Sequence, residues 1–164
     1  MSTFFPMNDV LFEIETSALG YLMRDSIWLF PTAEILHFMG LSLLIGSLLV
    51  VDCRLLGVVR GFPVEAVYKF LRLSLAGFSV NLATGLMFFF SDPFRYYPNI
   101  AFRIKMLFIL LAGLNALYFA IKVRSNSALT EGGEAGTDIK TVSTLSLLFW
   151  LGVIILGRFI PYVE

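Results

Sequence analysis

Four stretches of this chain are apolar for long enough to cross a bilayer, and polar residues gather between them. They run from about Leu29 to Val51, Leu73 to Phe90, Ala101 to Ile121 and Val142 to Ile160. A hydrocarbon core of about 30 Å needs about 20 apolar residues in a helix, so each stretch predicts a transmembrane span. Asp52 and Arg54 stop the first span, and "SDPFRYYPN" follows the second with turn residues and interfacial tyrosines. The segment "KVRSNSALTEGGEAGTDIK" after the third is polar and Gly-rich, the one candidate flexible loop. Ahead of the spans, residues 8 to 27 mix charges with Leu11, Ile14, Leu19, Met23 and Ile27 at roughly helical spacing, which predicts an interfacial helix. Trp28 beside Pro31 marks the turn from the surface into the first span.

The fold class these elements predict is all-α: an integral membrane four-helix up-down bundle in one domain, residues 1 to 164, with an N-terminal interfacial helix. Gly40, Gly46, Ala76, Gly77, Ala83, Gly85, Ala112, Gly113, Ala116, Gly152 and Gly157 supply small side chains for close helix approach.

Composition supports a lipid environment. The chain is 58% hydrophobic and 15% charged, with a mean hydropathy of +0.84, against roughly 45–50% apolar residues in a soluble domain. Net charge is zero, which removes the basic field that nucleic acid requires. The single cysteine, Cys53, allows no internal disulfide and no cysteine metal cluster. The N-terminus lacks the basic region and cleavage site of a secretory signal, so the first span is expected to direct insertion itself.

Basic residues then set the orientation. Arg54, Arg60, Lys69, Arg72, Lys122, Arg124 and Lys140 fall on the side of the 52 to 72 and 122 to 140 loops; Arg24, Arg95, Arg103, Lys105 and Arg158 fall on the other. By the positive-inside rule the first side faces the cytoplasm, with both termini outside.

Ionisable groups inside a span cost roughly 2.5–3.5 kcal/mol at the bilayer centre and mark functional sites by default. Glu34, His37, Arg103, Lys105 and Arg158 all fall in the outward half, while Asn81 and Asn115 are mid-span amides. From the helical rise, His37 lies about 12 Å from the outer end of its span, Glu34 about 7 Å, Lys105 about 6 Å and Arg158 about 3 Å. Glu34 and His37 are three apart and share a helix face. Arg103, Lys105 and Arg158 are also shallow enough to snorkel to phosphates, and the two amides are candidates for interhelical hydrogen bonds.

Two protein ligands are too few for a catalytic zinc site, and neither a convincing hydrolase nucleophile nor a phosphate loop is present. Haem needs less: one axial histidine, an apolar slot and aromatic walls, for which the chain has 17 Phe, 6 Tyr and 2 Trp. The expectation is haem b with His37 on the iron, Arg103 and Arg158 on the propionates, and Lys105 or Met87 as sixth ligand. Glu34 would orient the imidazole or relay a proton. With one histidine, a homodimer or a redox partner subunit is a further source of ligands. The alternative is a small transporter or accessory subunit whose outward polar cavity, built from Glu34, His37 and Lys105, serves an ion or protons.

The phrases "EILHFMGLSLLIGSLLVVDCRLLG", "FRIKMLFILLAGLNALYF" and "WLGVIILGRFIPY" resemble a family of small four-helix bacterial inner-membrane proteins. More remotely, the pattern is similar to the membrane domain of copper-resistance protein D and to the HemJ-type protoporphyrinogen oxidases. The shared features are a histidine in an early span followed by glycine, here His37 and Gly40, and a lysine opening a later span, here Lys105. The HemJ-type resemblance implies that His37 and Lys105 are associated with haem b. HemJ-type chains carry further histidines that this chain lacks, and Asn115 stands where one would be expected.

Overall fold

The computed structural model describes residues 7–59, 64–125 and 136–163. Most of the polar Gly-rich segment, and Arg60, lie outside the described residues. Seven helices follow in order among the described residues: α1 (Met7–Glu15), α2 (Ala18–Asp25), α3 (Leu29–Leu55), α4 (Val64–Ser91), α5 (Pro93–Tyr96), α6 (Ile100–Ser125) and α7 (Thr137–Phe159). A single 3-10 turn, Ile160–Tyr162, ends the described chain. The four long helices contain spans long and apolar enough to cross a membrane, Leu29–Leu55, Val67–Ser91, Ile100–Lys122 and Thr137–Tyr162. Only a minority of each is buried within the chain itself. The apolar remainder calls for lipid, and the protein is an all-α, multi-pass membrane bundle.

The single interfacial helix expected over 8 to 27 is two. Thr16 Oγ1 donates to Phe12 O at 2.7 Å and Ser17 Oγ to Ile14 O at 2.6 Å, so hydroxyls take the last carbonyls of α1. Ser17 Oγ then accepts from Gly20 N at 3.2 Å and caps α2. Arg24 anchors the pair to the bundle, donating to Ser91 O at 3.0 Å and Glu15 O at 2.6 Å. At Gly20 an added Cβ would lie 2.8 Å from Phe90 O, so only glycine permits α2 to rest on the end of α4.

The bundle is two hairpin pairs, α3 with α4 and α6 with α7, joined chiefly by α3 against α7. Gly40 and Gly77 form the closest crossing. A Cβ on Gly77 would sit 2.6 Å from Leu44 N and 2.7 Å from Gly40 O, and one on Gly40 would sit 3.1 Å from Gly77 O. Gly152 accepts the edge of the Phe108 ring in the same way. Gly46 and Gly113 face nothing within 4 Å and do not serve the packing expected of them.

One mid-span amide fastens the second hairpin, Asn115 Nδ2 donating to Val142 O at 3.0 Å, whereas Asn81 Nδ2 donates within α4 to Gly77 O at 3.0 Å. At the α5 end, buried Asn99 accepts from Phe102 N at 3.0 Å and donates to Ile160 O at 3.0 Å and to Val163 O. It thereby ties the start of α6 to the end of α7. At the opposite end, α3 runs through both expected stop residues, Asp52 and Arg54, to Leu55. The reason is that Asp52 turns inward and is 4% exposed, rather than outward as a boundary charge would be.

Candidate functional site

The α3–α4 crossing sets the position of the histidine. His37 lies one turn before Gly40 on the same face of α3, so the backbone contact at Gly77 brings its ring against α4. There its Nδ1 is 2.7 Å from Oγ1 of Thr84, a residue only 3% exposed. The hydroxyl of Thr84 also reaches Val80 O at 2.7 Å and Asn81 O at 3.3 Å. A hydroxyl has one proton to give and a carbonyl oxygen can only accept, so a proton placed on the carbonyls of its own helix leaves the threonine oxygen an acceptor toward His37. With its proton on Val80 O the threonine oxygen accepts from His37, and in that tautomer the imidazole carries its proton on Nδ1 and a free lone pair on Nε2. Among the described residues Nε2 has no hydrogen-bond partner, and it is not among the sealed polar atoms of the bundle.

Aromatic rings flank this imidazole. The Phe88 ring centroid is 5.3 Å from that of His37, and Phe30 lies 5.4 Å from Phe88. Behind them, Phe89 stacks on Phe102 at 5.8 Å, bridging α4 and α6. Met87 is half-buried, one helical turn after Thr84.

Lys105 approaches the same end from the other hairpin. It is half-buried in the second turn of α6, packed over Gly157 of α7, where an added Cβ would lie 3.3 Å from Nζ. Its ammonium is within electrostatic reach of the His37 ring. Among the described residues it makes no hydrogen bond or ion pair. An ammonium in apolar surroundings without a counter-charge is costly, so the site has an unmet demand for negative charge or a lone pair.

The remaining expected residues gather less closely. Glu34 is exposed, and its charge is felt at Tyr96 of α5 rather than through a contact with His37. The group that orients the imidazole is Thr84, not Glu34. Burial raises the Tyr96 phenol above its ordinary pKa; Arg95 works against that, and Asp92 and Glu34 add to it. Arg103 is exposed on α6. Arg158 is also exposed, with Cζ 5.3 Å over the Tyr162 ring. Both arginines stand at the α5 end.

Thr84 carried a usable signal that sequence reasoning passed over. It lies about 9 Å from the outer end of its span by helical rise, close to the depth of His37. Asp52 was missed as an interior residue because its position at a span's end reads as punctuation.

The profile of a family of unknown function, DUF6644, matches residues 11–163. The chain belongs to this family. The DUF6644 match begins in α1 and ends beyond the 3-10 turn, so it takes in α2, α5 and the four long helices as one unit. No curated protein and no solved structure matches the chain. None of these comparisons shows a likeness to copper-resistance protein D or to the HemJ-type oxidases.

Proposed function

We propose that the protein binds one b-type haem in the α5 half of the bundle, with His37 Nε2 as axial ligand, and acts in electron transfer or oxidoreductase chemistry. The observation that carries this reading is the Thr84 hydrogen bond, which holds the imidazole by Nδ1 and presents an unprotonated Nε2. Among the described residues no group of three or more His, Cys, Asp or Glu could hold a bare ion. A single nitrogen ligand suits a metal that arrives with four donors of its own, as haem iron does. A bound haem supplies a one-electron iron couple.

The chain's own residues would set the terms of that couple. Thr84 makes the imidazole a more basic ligand, and Phe30 and Phe88 keep water from the ring. Arg103 and Arg158 are the propionate partners, Lys105 is the second ligand or a charge partner with Met87 as the other candidate, and Glu34 is a surface proton relay. The excess of basic residues beyond the opposite end of the helices supports a periplasmic α5 end, and with it periplasmic termini, in a bacterial inner membrane. A second copy or a redox subunit is the expected electron partner.

The rival reading, a cavity for an ion or protons, draws on one observation, the unpartnered ammonium of Lys105. Hemin titration of the full chain in mild detergent separates the two. The haem reading expects a saturable Soret band that His37→Ala abolishes and Lys105→Met shifts if Lys105 ligates. Absence of any band in the wild type defeats it.

A further inference from the structure

At the end of the bundle away from α5, Asp52 of α3 meets α7. It stands about 22 Å along α3 from His37 by helical rise, so the two belong to different places. The Asp52 side chain is 4% exposed, and its Oδ2 has no hydrogen-bond partner. The hydroxyls of Ser143 and Ser146, 1% and 8% exposed, act on this carboxyl from α7. Ser143 Oγ is itself without a partner. A serine in a membrane helix ordinarily satisfies its hydroxyl on the carbonyl one turn back, and Ser143 does not.

The Ser143 hydroxyl is near enough to act on the carboxyl, yet it lacks the geometry of a full hydrogen bond to Oδ2. Each oxygen is left with capacity for a further ligand. Next to Asp52 in α3, Val51 and Leu55 form an apolar cluster with Ile139 of α7, covered by Val67, Phe70 and Leu71 of α4 and Phe119 of α6. No lysine or arginine among the described residues forms an ion pair with Asp52. Arg54, two residues further on, departs from a different side of α3.

We propose that Asp52, Ser143 and Ser146 form a binding site for a small monovalent cation, sodium being the species that the oxygen set fits. Carboxylate and hydroxyl oxygens are hard ligands and select hard cations. One negative charge cancelled by one positive charge leaves the interior neutral, whereas a divalent ion would leave an uncompensated charge among apolar side chains. The ion would also join α3 to α7, the contact that holds the two hairpins together.

The test is equilibrium binding of radioactive sodium to the full chain in lipid nanodiscs, in mildly alkaline buffer and without hemin, so it stands apart from the haem reading. The expected result is saturable binding of one ion per chain, lost in Asp52→Asn. Ser143→Ala should weaken it about tenfold, the loss of one oxygen contact to a charge. A thermal unfolding midpoint that rises with sodium chloride, and not with choline chloride at equal ionic strength, should accompany binding. No saturable binding to the wild type overturns the proposal. Binding unchanged in Asp52→Asn or in the double variant Ser143→Ala and Ser146→Ala also overturns it.

Discussion

Replacing Gly77 by alanine tests whether the α3–α4 crossing positions the histidine. The added Cβ would meet Leu44 N at 2.6 Å, Gly40 O at 2.7 Å and Leu44 Cα at 3.0 Å, all of them backbone atoms that no rotamer change can move. Ordinary contact begins at 3.4 Å, so α3 and α4 must part by about 0.8 Å at this point. Overpacking of this kind costs about 1–3 kcal/mol, against a gain in helix propensity of about 1 kcal/mol that a glycine-to-alanine change elsewhere in a helix shares. A parting carried two turns along α4 would stretch the His37–Thr84 hydrogen bond from 2.7 Å to the edge of its range. The comparison is Gly46→Ala in α3, where nothing lies within 4 Å of the new methyl. Both variants would be unfolded reversibly in mixed micelles and titrated with hemin. Gly77→Ala should be the less stable by about 1–3 kcal/mol and bind hemin more weakly, while Gly46→Ala should match or slightly exceed the wild type. Equal stability of the two variants would refute the close crossing.

Three further outcomes are expected. Thr84→Val removes the acceptor for the imidazole Nδ1–H, and second-shell losses of this kind lower metal-site affinity about 10–100-fold, so hemin should bind more weakly yet still give a Soret band at saturation. Asn99→Ala leaves Phe102 N uncapped and the carbonyls of Ile160 and Val163 without their donor, a loss of about 1–3 kcal/mol read by unfolding in mixed micelles. Tyr96, whose phenol is held neutral by burial, ionises later in the folded chain than in the unfolded one. Stability attached to it is therefore full below the ordinary tyrosine pKa of 10.0 and lost as pH rises toward the higher folded value; Tyr96→Phe should flatten that alkaline decline.

The four spans were legible because lipid enforces a long uninterrupted apolar run, a signal that survives without knowledge of packing. Their ends were less so. Asp52 was expected to terminate the first span, yet α3 carries it inward and continues to Leu55, because hydroxyls on a distant helix replace water for it in part. The break between α1 and α2 was hidden for a different reason. The apolar spacing from Leu11 through Met23 runs across it, and the deciding signal is local, the Thr16 and Ser17 hydroxyls competing for backbone carbonyls.

Depth along a helix assigned His37 and Lys105 to one end of the bundle, and the structure puts the two within electrostatic reach. Which partner held the imidazole was beyond that reasoning, since helical phase relates Glu34 to His37 but says nothing of which residue α4 presents. Likewise, all the glycines read alike in sequence. Only the crossing geometry separates Gly40 and Gly77, which bring two backbones together, from Gly46 and Gly113, which touch nothing.

The central claim is that His37 Nε2 ligates haem iron, and His37→Gly tests it most directly. The cavity left by the ring should admit free imidazole. Hemin added to this variant in mild detergent should give no protein-bound Soret band, and imidazole should restore one resembling the wild type. A His37→Gly band identical to the wild type without imidazole, or no band in the wild type itself, would contradict the account.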